Sequence, residues 1–158
     1  MNAEVCWPFS SSISAIGKDT IKSPQENLVV TTSRLETNKL LERIPQIAAQ
    51  TDKNIQFAVI GRLCNKATLS NLQNIVKKLG LTERVKFYPN ASAETKIDLL
   101  KRAKIYLHTM VGEHFGISIV EAMALGCVPI VHNSGGMKEF VPEKYRYETL
   151  QEAASKIT

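Results

Sequence analysis

Short runs rich in Val and Ile recur along this chain, and most are followed by a stretch whose apolar residues return every three or four positions. Leu28 to Ser33, Ile55 to Gly61, Val85 to Tyr88, Ile105 to Thr109 and Cys127 to His132 read as strands. Between the first two, Leu40, Leu41, Ile44, Ile47 and Ala48 make a helical stripe. Asn38 is its candidate cap, and Pro45 predicts a kink or a late start. Leu69, Leu72, Ile75, Val76 and Leu79 make a second stripe, which Gly80 ends in a left-handed turn. Ser92 caps a third, with Ile97, Leu100 and Ala103 on its core side. Phe115 to Leu125 is apolar on most sides and stops at Gly126, and Glu148 to Ile157 is a last amphipathic helix. Strands apolar on both faces, alternating with helices, predict a parallel sheet covered on both sides. Right-handed crossovers then gather the loops that follow the strands at one edge, where ligands bind.

The 158 residues, 44% of them hydrophobic, suffice for one packed core. Residues 1–26, with Pro8, Pro24 and several serines, read as a linker or peripheral segment, and 27–158 as the domain. The start lacks a basic leader ahead of an apolar run, so no secretory signal is expected. The longest nearly apolar stretch, Ile117 to Val131, is broken by Glu121 and is too short to span a bilayer. Cys6, Cys64 and Cys127 are odd in number with no CxxC pair, which argues against a disulfide scaffold and for a reducing, cytoplasmic setting. Eight bases and three acids fall between Lys77 and Lys104, an excess equal to the net charge of +5. A solvated pair of helices explains this run plainly, and the sharper alternative is a peripheral contact of residues 77–104 with anionic membrane. Phe87 and Tyr88, the two aromatics in this run, sit together and do not alternate with the bases as a stacking platform would need, so nucleic acid is not an expected partner.

Four of the predicted edge loops carry unusual polar groups. Arg34 and Lys39 follow the first strand, and Pro89, Asn90 and Ala91 follow the third. Glu113 follows the fourth, ahead of a helix opening Phe115-Gly116-Ile117-Ser118, and Asn133-Ser134-Gly135-Gly136 follows the fifth. Glu121 lies in the second turn of a helix packed on the sheet. An ionised carboxylate there costs several kcal/mol unless something satisfies it. A ribose diol suits it, because two hydroxyls donate to the two oxygens. Amides at a helix start suit a phosphate, and Gly116 allows close approach. Arg34 and Lys39 can neutralise the same phosphates. Glu113 would reach a sugar carried by them. Ribose, diphosphate and sugar together describe a nucleotide-sugar.

Blander readings stand beside these. Arg34 and Lys39 are ordinary surface charges if the loops do not converge. In these readings Glu121 is met by a protein donor instead of a ligand, Glu113 is a plain loop acid, and Gly135 and Gly136 are a mere turn. His108, His114 and His132 fall on adjacent loops without metal-ligand spacing. Neither GxGxxG after a strand nor GxxxxGK[ST] occurs. Asp19, Asp52 and Asp98 are the only aspartates, so a DxD metal clamp is excluded. No metal and no other cofactor is expected; leaving-group charge falls to Arg34, Lys39 and the helix start.

The stretch EHFGISIVEAMALGCVPIV, then NSGGMKE, resembles the Glu-x7-Glu and GG-x-x-E motifs of retaining GT-B glycosyltransferases of the family 4 type. SRLETNK matches their G-R-L-x-x-x-K with Ser33 for Gly, and VKFYP their V-x-F-x-G with Pro89 for Gly. The likeness covers roughly residues 27–148. The narrower wording LHTM, EHFGI and HNSGG is similar to dolichol-linked-oligosaccharide α-1,2-mannosyltransferases, which use GDP-mannose. The resemblance implies a Rossmann-like α/β domain with helices on both faces, the donor half of a GT-B fold whose acceptor-binding domain precedes it. It implies transfer of a hexose, mannose favoured, from a nucleotide-sugar donor to a glycan or lipid-linked acceptor, and an inactive domain when isolated. Arg34 and Lys39 would bind the diphosphate and Glu113 the donor sugar. Phe115, Gly116, Ile117 and Ser118 would contact phosphate and sugar, Glu121 the ribose, and Asn90 and Ala91 the base edge, with Gly135 and Gly136 beside them. The competing functions are a nucleotide-sugar epimerase or hydrolase of the same fold and a non-catalytic nucleotide-sugar sensor.

Overall fold

The computed structural model describes residues 25–158. Of the expected linker, residues 1–24 lie outside the described residues. The strands are β1 (Glu26–Thr32), β2 (Gln56–Gly61), β3 (Val85–Pro89), β4 (Ala103–His108), β5 (Val128–His132) and β6 (Arg146–Tyr147). The helices are α1 (Arg43–Ala48), α2 (Lys66–Lys78), α3 (Ala93–Arg102), α4 (Ile117–Ala124) and α5 (Leu150–Ile157). All strand pairs are parallel, in the order β3-β2-β1-β4-β5-β6. The chain lays down β1 to β3 outward, then returns to the far side of β1 for β4. That reversal leaves a crevice beyond the carboxyl ends of the strands.

Alternation along the strands divides the core in two. Val29, Phe57, Val59, Ile105, Leu107 and Ile130 point to the side that holds Ile44, Ile47, Leu72, Val76, Ala153 and Ile157 of α1, α2 and α5. Val30, Ala58, Ile60, Tyr106 and Val131 point to the other, against Leu99 and Leu100 of α3 and Ile119 and Ala122 of α4. Both faces are therefore covered, as the apolar strand sequences require.

Several local expectations hold. Ser92 Oγ accepts from the Thr95 amide at the start of α3, and Gly80 has φ of +68° just past α2. The helix containing Pro45 does start late, at Arg43, so the proline sits in its first turn where no amide is needed. Others are corrected. Asn38 caps nothing; it lies inside a 3-10 turn, Thr37–Lys39, and Leu40 at φ of 54° turns the chain left-handed before α1. Leu79, placed on the core side of α2, is 44% exposed because it follows the last helical turn. The helix expected from Phe115 starts at Ile117, and the one expected from Glu148 starts at Leu150 behind a Thr149–Glu152 capping box.

The basic run is partly used up internally. Arg84 donates to Ile55 O, Thr51 Oγ1 and Asp52 O, which pins the turn before β2. Arg102 bridges Glu26 and Asp98, Lys86 pairs with Glu83, and Lys96 with Glu121. No described helix is long and apolar enough to cross a membrane.

Candidate functional site

A cleft of about 360 Å³ opens at the carboxyl ends of β1, β2 and β3, lined by Thr32, Ser33, Ile60, Gly61, Arg62, Asn90, Ala91 and Lys96. Gly61 is required by crowding: a Cβ there would stand 1.6 Å from the Ser33 carbonyl oxygen. Among the described residues only Leu40 and Asn90 are non-glycine residues with positive φ, so Ser33 fills its place with ordinary backbone geometry. Asn90, after Pro89, takes the left-handed turn at φ of 55° and braces it, its Oδ1 accepting from the Leu63 amide at 2.9 Å. Asn90 and Ala91 thus both lie at the cleft.

Behind this cleft lies the buried acid. Glu121 is 8% exposed on α4, and its Oε2 accepts from Lys96 Nζ at 3.0 Å. The protein itself supplies one partner for this carboxylate, since α3 brings a cation across the interface with α4. Ser118, half-buried one turn earlier, hydrogen-bonds the buried Tyr106 hydroxyl, which also donates to Thr32 O at 3.0 Å. Burial drives the Tyr106 phenol's pKa upward, so it stays protonated as a donor. No side chain caps the start of α4, where Gly116 adopts φ of +70°. Ile117 is 45% exposed beside it, and the Phe115 ring lies 6.3 Å from Phe140.

On the β4–β5 side the loops are bonded to one another. Gly112 N donates to Ser134 Oγ, and Gly136 N to Glu113 O. Ser134 Oγ also shares a hydrogen bond with His132 Nδ1 at 2.8 Å. A Cβ on Gly135 would fall 2.2 Å from Glu113 O, and on Gly136 1.8 Å from His114 O. These two glycines are therefore a packing requirement of the Glu113 loop. Glu113 is half-buried; its Oε1 accepts from His114 N, and its Oε2 lies 3.7 Å from His108 Nε2. His108 Nε2 is buried without a hydrogen-bond partner. Burial, opposed by the charge of Glu113 and aided by that of Lys39, pushes the His108 pKa down to about 4. Burial also lowers that of His132, with the nearby Arg43 adding to the effect. Among the described residues no group of His, Cys, Asp or Glu could hold a metal ion.

The two cations after β1 part company. Lys39 is drawn to the β4 loop, its Nζ 3.5 Å from Met110 Sδ and its carbonyl accepting from Thr109 Oγ1. Arg34 is exposed and its guanidinium meets Glu36 at 2.9 Å. Sequence reasoning missed Arg43, which reaches Thr109 O at 3.5 Å and bonds Tyr147, and it counted Lys96 only within the basic run.

A parallel sheet reversing at β1 and β4, with helices on both faces, defines a Rossmann-like α/β domain. The chain belongs to the family Glycosyl transferases group 1, whose pattern matches residues 13–150. It is 34% identical over 125 residues to the GDP-Man:Man(3)GlcNAc(2)-PP-Dol alpha-1,2-mannosyltransferase of Dictyostelium discoideum, covering 75% of this chain and 25% of that one. To the Homo sapiens protein of the same description it is 35% identical over 109 residues, covering 67% and 20%. The chain thus spans a quarter or less of the length of these relatives. Anabaena HepE in complex with UDP and glucose superposes with a TM-score of 0.74 at 25% identity, over 84% of this chain and 38% of that one. Its structural neighbours are GT-B glycosyltransferases, which establishes the Rossmann-like fold read from the sequence.

Proposed function

We propose that this domain binds the nucleotide-sugar donor of a retaining hexosyltransferase, mannose favoured, which passes the sugar to a lipid-linked glycan. GDP-mannose is the donor favoured by the likeness to the mannosyltransferases. The carrying observation is the convergence, at the strand reversal, of the start of α4 and of Glu113 and Glu121 at either end of the same short segment. In this reading the cleft of Asn90, Ala91 and Lys96 takes the nucleoside, with Glu121 toward the ribose. The Gly116 turn and the Ile117 and Ser118 amides meet the phosphates, with Lys39 and Arg34 supplying positive charge. Glu113, held by the Gly135–Gly136 loop, faces the sugar. As the bond between sugar and phosphate breaks, negative charge grows on the diphosphate. Groups already fixed there bind that charge better than the ground state and lower the barrier. The acceptor would be held by a preceding domain, so this domain binds donor without turning it over.

Titration of GDP and UDP into the chain and its Glu121→Ala variant tests the assignment. Loss of a charged hydrogen-bonding partner should weaken binding by about 1.5–3 kcal/mol. Unchanged affinity for both nucleotides would refute it.

A further inference from the structure

Lys96 carries a cost that its own helix does not explain. It lies in the first turns of α3, where the helix dipole favours acids such as Glu94 and disfavours a cation. It is held there by Glu121 of α4, and theirs is the least exposed pairing of a lysine or arginine with an acid among the described residues. The two side chains are not equally hidden: that of Lys96 is 31% exposed and that of Glu121 10%. Lys96, not Glu121, is the member that lines the cleft. An entering ligand therefore meets the ammonium first.

We infer that Lys96 is a nucleotide-binding residue that reads the ribose diol jointly with Glu121. The inference rests on the ribose reading of Glu121 proposed above. An ammonium has three N–H donors, so the bond to Glu121 does not exhaust Lys96, and a carboxylate oxygen with two lone pairs can accept from a second donor beside the first. Among the described residues Glu121 is the one protein partner of Lys96, which leaves donors facing the cleft. A hydroxyl both donates and accepts. Set against this pair, a ribose hydroxyl gives its proton toward the carboxylate and takes one from the ammonium. The diol joins the ion pair rather than breaking it. A site of this kind rejects an analogue that lacks the hydroxyl, because the buried polar groups are then left short of partners.

The test compares GDP with 2′-deoxy-GDP, titrated calorimetrically into the chain and into its Lys96→Met, Lys96→Gln and Glu121→Gln variants. The parent chain should prefer the ribonucleotide by about tenfold or more, as expected for a hydroxyl read by buried polar groups. Lys96→Met should reduce that preference to about twofold or less, with cooperative thermal unfolding retained. Should Lys96→Met fail to fold, Lys96→Gln, which keeps a donor but no charge, gives the same reading at intermediate strength. A folded Lys96 variant that keeps the full preference, while Glu121→Gln loses it, overturns this inference and makes the lysine a counter-charge only. A parent chain that does not distinguish the two nucleotides overturns the ribose reading of Glu121 itself, and with it this inference.

Discussion

The two halves of the ligand edge differ in what their loops enclose. After β1, β2 and β3 the loops are bonded side by side, Leu35 N to Arg62 O and Leu63 N to Asn90 Oδ1, yet leave an open cleft with half-exposed side chains along its wall. After β4 and β5 the loops are tied together through Ser134, Gly136 and the backbone of residues 112–114. Tyr147 of β6 adds a further tie, its hydroxyl donating to His108 O at 2.9 Å. The first arrangement suits a part of the ligand that must enter and leave. The second suits a part whose reacting group must be held at a fixed place, since small displacements at a reacting centre are costly.

The largest expected effect comes from cutting the tied half. Gly136→Ala drives a Cβ into the His114 carbonyl, so the Glu113 loop must move. A loss of about 3 kcal/mol in urea unfolding is expected, as for other overpacked sites. A change below about 0.5 kcal/mol, the scatter of neutral surface substitutions, would mean that the tie is loose.

Next comes the titration of His108 in the same half. Its folded pKa of about 4 lies below the ordinary 6.5. Between those values the unfolded chain takes up a proton that the folded chain refuses. The stability present above pH 6.5 is therefore lost as the pH falls toward 4, by about 3 kcal/mol in all. His108→Leu should flatten that part of the pH dependence of the urea midpoint. A variant with the parent's slope would show that His108 is not the group responsible.

The smallest effect belongs to the two cations after β1, of which Lys39 lies toward the β4 loop and Arg34 stands exposed. Arg34 is mostly exposed and already paired. The Arg34→Ala, Lys39→Ala double variant should weaken a nucleoside diphosphate by about tenfold, roughly 1.4 kcal/mol, and a nucleoside hardly at all. Equal losses for both would remove the phosphate role and leave the contrast between the halves a structural one.

The sheet was legible because each interior strand carries its own burial signal: β1, β2, β4 and β5 are apolar on both faces. β6 was not, since Arg146–Tyr147 is two residues long and too short for any period. Caps were legible where one residue decides them, as at Ser92 and Gly80. The turn before α1 was not, because Leu40 is an unusual occupant of a left-handed position that sequence would give to Gly or Asn. The site followed the same division. Glu121 announced itself as an acid on a packed helix, yet its partner lies 25 residues away on another element. Gly135 and Gly136 were visible as residues, but what they make room for, the backbone at 113 and 114, is set only when the β4 and β5 loops meet.

The hydroxyl of Tyr106 touches Thr32 at the end of β1 and Ser118 at the start of α4. A rigid ring rooted in the central sheet thereby acts as a gauge block between these two rims. The gap they bound cannot widen without breaking the phenol's bonds, so its calibre is inherited from the interior rather than negotiated by the loops.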